Sequence, residues 1–268
     1  MSKMTTDYGS LASEIRGLLC MKTEPLGIGL LKKGEKKPEG FTEPRKDMGK
    51  HLSLCQAWGL SRRDQIPFIL NKSDMWCFEP VLGLGFVEPP ELFLDGHNRF
   101  PGTASSVEAG KQWASNMPRF PVGKYESIMS APLSFYGEDL SPDVVVLYCD
   151  PAQLTQLMMA VNWIDGNDVY SRMSGHAACV YSVVPVVTDN DFQIVVPCAG
   201  DRKRAMAQDT EIIFSFPASK LEALVEGLRH IKDAGEGMPL KVSLKEEYEL
   251  EESYQEIGKL MGMDLSTS

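Results

Sequence analysis

The sequence contains no CxxC pair, no GxxxxGK[ST] loop, no HExxH, no GxSxG and no EF-hand loop. Those absences remove the short motifs of Walker phosphate loops, helical zinc hydrolases, nucleophile-elbow hydrolases and calcium-binding loops. Gly27-Ile28-Gly29 and Gly83-Leu84-Gly85 are GxG fragments without a third glycine, so a dinucleotide fingerprint is unsupported. Histidine is scarce, and His51, His97, His176 and His230 share no ligand spacing; His176 stands three residues before Cys179. Apolar runs such as 144–149 are far shorter than the ~20 residues that span a bilayer. The opening MSKMTTDYGS lacks the basic-then-apolar build of a secretory signal. Basic excess is also missing: 27 Lys and Arg against 37 Asp and Glu give −10, so neither nucleic acid nor an anionic membrane is an expected partner. A cytoplasmic location is expected, where thiols stay reduced and six cysteines are no evidence for disulfides.

What is present is an ordinary globular composition, 268 residues with 43% hydrophobic and 24% charged side chains. Leu11, Ile15, Leu18 and Leu19 predict a helix over 8–21, and 26–31 reads as a buried strand. The charged, Gly- and Pro-rich stretch 32–46 reads as a solvated loop. A second helix is expected over 47–60 with Cys55 on its apolar face and Gly59 marking its end. A strand at 67–70 precedes a short helix containing Cys77, capped by Ser73 or Asp74. Residues 87–121 are turn-rich around a helix at 105–117 and suit a surface insertion or a lid. A strand follows at 125–133. Strands at 143–149 and 211–216 are each followed by proline and a helix, an echo that suggests two related units of one α/β fold. Between them, a helix is expected over 177–183 and a strand over 192–197. The tail 241–268 is acidic, and Leu250, Tyr254, Ile257 and Met261 predict a docking helix. Trp58, Trp76, Trp113 and Trp163 read as core anchors, and Asp165-Gly166-Asn167-Asp168 as a turn. The expected architecture is α/β, with α+β possible: a compact domain over 1–240 with a mixed sheet flanked by helices.

The most informative segment is 195–204, in which a hydrophobic strand ends at Cys198 before Gly200, Asp201, Arg202, Lys203 and Arg204. Loops at strand C-termini of α/β sheets bind ligands. Gly200 allows a tight turn and close backbone approach, and Arg202 suits either a small anion or a lowered Cys198 pKa. A plain turn with a buried cysteine and solvated basic residues satisfies the same spacing.

The chain resembles domain of unknown function family 169, a group of uncharacterised bacterial and archaeal proteins. The resemblance runs through Pro25-Leu26, Cys55-x-Ala57-x-Gly59, Cys77 with Leu82-Gly83-Leu84, and Gly123-x-Tyr125. It continues through Pro142-Asp143, Pro151, Cys179, Pro185 and Cys198-x-Gly200-x-Arg202. It implies that Cys55, Cys77, Cys179 and Cys198 are motif cysteines, with Cys20 and Cys149 outside the motifs, and that the hosts are anaerobes and methanogens. Four thiolates are the soft ligand set of a [4Fe–4S] cluster, whereas structural zinc sites take closely spaced ligand pairs. A single reactive thiolate and a set of buried structural thiols remain alternatives. The leading expectation is therefore a cytoplasmic iron–sulfur protein of anaerobic redox metabolism, enzyme or accessory. Cys55, Cys77, Cys179 and Cys198 would hold the cluster beside an anion pocket at Gly200 and Arg202, with a homo-oligomer or a redox protein as possible partner. The rival expectation is a cofactor-free small-anion binding module, or a subunit of a larger assembly, whose cysteines only pack.

Overall fold

The computed structural model describes residues 6–240, 244, 250–263 and 265. The chain divides into two units, Met1–Met238 and Pro239–Ser268. Residues 241–243 and 245–249 of the expected acidic tail lie outside the described residues; within the second unit, a helix forms at Glu252–Leu260.

The first unit is built on strands β1 (Leu26–Lys32), β2 (Phe68–Leu70), β3 (Tyr125–Pro132), β4 (Val144–Cys149), β5 (Gln193–Val195) and β6 (Ile212–Pro217). They form one sheet in the order β2-β3-β1-β4-β6-β5, and every ladder in it is antiparallel. The fold is thus mixed α/β in content. The two strand–proline–helix segments do not form parallel crossover units: β4 and β6 are antiparallel neighbours. Helices α1 (Tyr8–Leu19), α2 (Pro44–Met48), α3 (Leu54–Asp64), α4 (Phe78–Gly83), α5 (Glu91–Leu94) and α6 (Val107–Asn116) come from the N-terminal half. Helices α7 (Pro151–Asp165), α8 (Ala178–Tyr181), α9 (Val184–Asp189), α10 (Ala199–Arg204) and α11 (Leu221–Asp233) follow.

The sheet is covered on both faces, which explains why β4 reads as an unbroken apolar run. Its Val145, Leu147 and Cys149 enter a core shared with α1, α7 and α11. The alternate residues Val144, Val146 and Tyr148 face the opposite core, where Trp58, Leu82, Cys179 and Val184 pack. The period of two along one strand therefore puts Cys149 on the other side of the sheet from Cys179. Cys20 lies on neither face; it ends α1 in a left-handed conformation and is exposed.

Several expected elements differ, among them the short helix around Cys77, which starts only after that residue and without a cap from Ser73 or Asp74. The helix over 47–60 is two helices, because Gly49 ends α2 at φ 64° and Ser53 restarts the chain with a capping box to Gln56. Gly59 consequently lies inside α3, where an added Cβ would stand 2.8 Å from the Ala205 carbonyl oxygen; the glycine permits close packing rather than ending the helix. The helix over 177–183 is the shorter α8, and a further helix, α9, follows it with Pro185 in its first turn. The turn expected at Gly200 is instead the first turn of α10, which Cys198 precedes without a side-chain cap.

Gly227 and Gly17 test this packing. A Cβ at Gly227 would lie 2.9 Å from the Ala160 carbonyl oxygen where α11 meets α7, whereas Gly17 on α1 has open space around it. Gly227→Ala should lower stability by about 1–3 kcal/mol. Gly17→Ala should raise it by about 0.5–1 kcal/mol, both read by urea denaturation.

Candidate functional site

Cys55, Cys77, Cys179 and Cys198 line a single cavity of about 280 Å³. Each comes from a different helix start: Cys55 is the second residue of α3, Cys77 precedes α4, Cys179 is the second residue of α8, and Cys198 precedes α10. Only α3 has a side-chain cap; α4, α8 and α10 begin without one. Backbone N–H groups of first helical turns lack intrahelical acceptors and favour negative charge nearby. Cys20 and Cys149 do not line the cavity.

The thiols sit in a desolvated setting. Cys55 and Cys179 are buried, and Cys77 and Cys198 partly so. Burial, then the charge of Asp201, pushes the Cys55 thiol up to about 12, although Ser53 Oγ at 3.0 Å opposes this. Burial pushes Cys77 above the usual thiol range, and Glu79 adds to it through its charge and a 2.9 Å hydrogen bond accepted from Sγ. Cys179 is raised by burial first and then by proximity to Cys55, Cys77 and Cys198. Four thiols held this close in a low dielectric cannot all ionise unaided.

Glu79 is itself held. Arg99 donates to its Oε1 at 2.9 Å and lies over the Trp113 ring at 3.7 Å. Beside them, His176 lines the cavity, its imidazole pKa lowered by burial and by Arg99. Trp76, also on the lining, donates from Nε1 to Gln56 at 2.8 Å, and the Arg204 guanidinium lies over its ring. Trp76 is 46% exposed, so it is a wall of this cavity rather than the core anchor its residue type suggests.

Of the expected anion residues, Gly200 lines the cavity and Arg202 does not. Arg202 donates to the Gln208 carbonyl at 2.5 Å, while Arg204, two residues on, is the cation at the cavity. Read as a loop, 199–204 puts Arg202 at the site; as the helix it is, its spacing turns the two arginines in different directions. Glu79 and Trp76 were missed as well, although their positions next to Cys77 were a usable signal.

Beneath the cavity runs a buried polar network. Arg62 of α3 donates to both carboxylate oxygens of Glu211 at 2.7 and 2.9 Å and lies over the Tyr148 ring. Tyr148 donates to Asp201 Oδ2 at 3.0 Å, while Asp201 Oδ1 is buried with no hydrogen-bond partner. Burial raises Asp201 to about 6, against the opposing hydrogen bond from Tyr148 and the charge of Arg62. Burial also acts to raise Glu211, but the hydrogen bonds from Arg62 and Gln208 outweigh it and hold the carboxyl below its usual value.

Among the described residues, no three His, Cys, Asp or Glu side chains are grouped so as to hold a metal ion. No described helix is long and apolar enough to cross a membrane. The model of domain of unknown function family 169 (DUF169, "Uncharacterised ArCR") matches residues 14–227. The uncharacterized protein MJ0308 of Methanocaldococcus jannaschii is 25% identical over 224 residues, covering 82% of this chain and 93% of that protein. No solved structure matches.

The Asp201 carboxyl gives the site a pH signature. Its folded pKa stands above the ordinary value, so its stabilising proton is fully present below about pH 4 and lost as pH rises through about 6. Asp201→Asn should therefore gain about 2–3 kcal/mol relative to the unsubstituted protein between pH 4 and pH 7. Denaturant unfolding at intervals across that range measures the gain; a constant difference between the two proteins would contradict it.

Proposed function

This chain belongs to domain of unknown function family 169, and from that premise we propose that it is a cytoplasmic iron–sulfur protein of anaerobic redox metabolism. Cys55, Cys77, Cys179 and Cys198 hold a [4Fe–4S] cluster in this reading. The observation that carries it is the convergence of those four thiols, drawn from four separate helix starts, on one cavity. Thiolate is the ligand such clusters require, and no competing lysine lines the space. A single tetrahedral ion with bonds of about 2.3 Å needs its sulfurs about 3.8 Å apart, whereas a cluster spreads its thiolates over several irons. Four cavity-lining thiols supply one ligand for each of four irons.

When bound, such a cluster supplies one-electron transfer, or a Lewis-acidic iron if one cysteine stays free. The chain's own residues prepare for it. Burial of Cys55 and Cys179 excludes water from the inner wall. Arg99 fixes the Glu79 carboxylate, whose Oε2 accepts from Cys77 Sγ at 2.9 Å and keeps that thiol protonated until a bound positive charge displaces the proton. The uncapped first turns of α4, α8 and α10 favour the negative charge of the ligated thiolates. Arg204 at the cavity wall takes the anion-accepting role beside Gly200.

A second reading has its own support. The Cys55 and Cys77 thiols already have partners in Ser53 and Glu79, as a cofactor-free cavity for a small anion would require.

Protein purified without oxygen separates the two. The cluster reading expects brown protein with about four irons and four acid-labile sulfides per chain. Cys55→Ala, Cys77→Ala, Cys179→Ala and Cys198→Ala should each reduce that content, while Cys20→Ala and Cys149→Ala should leave it unchanged. Colourless, iron-free protein after anaerobic reconstitution would favour the anion module.

A further inference from the structure

Next to the cysteine cavity, with Trp76, Cys77 and Phe78 as a common wall, lies a groove of about 510 Å³. That volume is within the range of small-molecule sites, about 300–1,000 Å³. Apart from Lys72, Asn98 and the Cys77 thiol, its lining is aliphatic and aromatic. Three of its apolar side chains stand open to solvent: Trp76 at 46%, Phe78 at 45% and Leu92 at 61%. Single exposed apolar residues are ordinary, but three around one concavity form a patch with ligand-binding character.

Lys72 is the one charged residue on that lining. It makes no ion pair with a described residue. It also borders a polar depression that includes Lys33, Lys37 and Glu126. Lys37 is paired with Glu43, and Glu126 accepts from the Gly34 N–H. The Lys72 end of the groove is thus locally cationic in a chain of net charge −10.

We infer that this groove binds an amphipathic organic acid. Lys72 holds the carboxylate, and the aliphatic or aromatic body lies against Phe78, Val81 and Leu92 towards the wall formed by Cys77. As a ligand class for the cysteine site, this rests on the reading above; binding of the acid in the groove does not.

Calorimetric titration of the full chain with phenylbutyrate and with phenylbutanol tests it, since the two share an apolar body and differ in charge. The acid should bind at least about tenfold more tightly than the alcohol. Lys72→Ala should bring the acid to the alcohol's affinity, and Lys72→Arg should restore it. Leu92→Asp, at an exposed position that carries little folding risk, should weaken both ligands. Equal affinity for acid and alcohol, an unaffected Lys72→Ala, or no binding by natively folded protein would overturn the inference. Iron content measured on the same sample keeps the readings apart. Acid binding by iron-free protein upholds the groove and removes the cluster, whereas brown protein that binds no acid removes the groove alone.

Discussion

Arg62 is the charge on which the rest of the site depends. It is 1% exposed, and its two terminal guanidinium nitrogens donate to both Glu211 carboxylate oxygens, to Thr23 Oγ1 and to the Met206 carbonyl, while its buried Nε has no partner. Leaving a buried charge of this kind without its partner costs about 3–5 kcal/mol. The planar fork matters, since a lysine could not grip both carboxylate oxygens and lie flat over Tyr148. Through these contacts α3, which carries Cys55, is tied to the start of β6 and to the segment after α10. Tyr148 then links β4 to Asp201 within α10, the helix that Cys198 directly precedes. Two of the four thiols are thereby located by one buried ion pair and its aromatic neighbour.

The other two thiols are located by packing. Gly83, at the far end of α4 from Cys77, stands so close to Val180 of α8 that an added Cβ would lie 2.4 Å from its side chain, so the two short helices pack directly on each other. The resulting cavity collects helix starts and partly satisfied thiols but little neutralising charge. Its acid, Glu79, is compensated by Arg99, and its cation, Arg204, lies against Trp76. Burial then forces a choice on the thiols, which keep their protons unless another positive charge replaces them. That choice is the physical content of the two functional readings.

Much of the fold was legible because its signals are local. The runs at 26–31, 125–133, 143–149 and 211–216 became β1, β3, β4 and β6 with shifts of a residue or so. Proline after the β4 strand marked the start of α7, as its missing N–H predicts. Errors arose where one residue type serves two purposes. Gly59 and Gly200 were read as punctuation, yet one is a close-packing position and the other lies in a helical turn. Trp76 was read as core because tryptophan usually is, but its ring forms a cavity wall.

By itself, the sequence determined the positions of most strands and helices, the excess of negative charge, and a resemblance that implies a distinction between Cys55, Cys77, Cys179 and Cys198 on one side and Cys20 and Cys149 on the other. These depend on periodicity, composition and local motif spacing, which a linear chain carries. Only the tertiary structure decided that the four thiols share one cavity, that Arg204 rather than Arg202 lines it, and that the sheet is antiparallel throughout. Each of those outcomes depends on contacts between residues far apart in the chain. Their distances follow from how buried groups such as Arg62 and Gly83 find partners, and no local spacing encodes them.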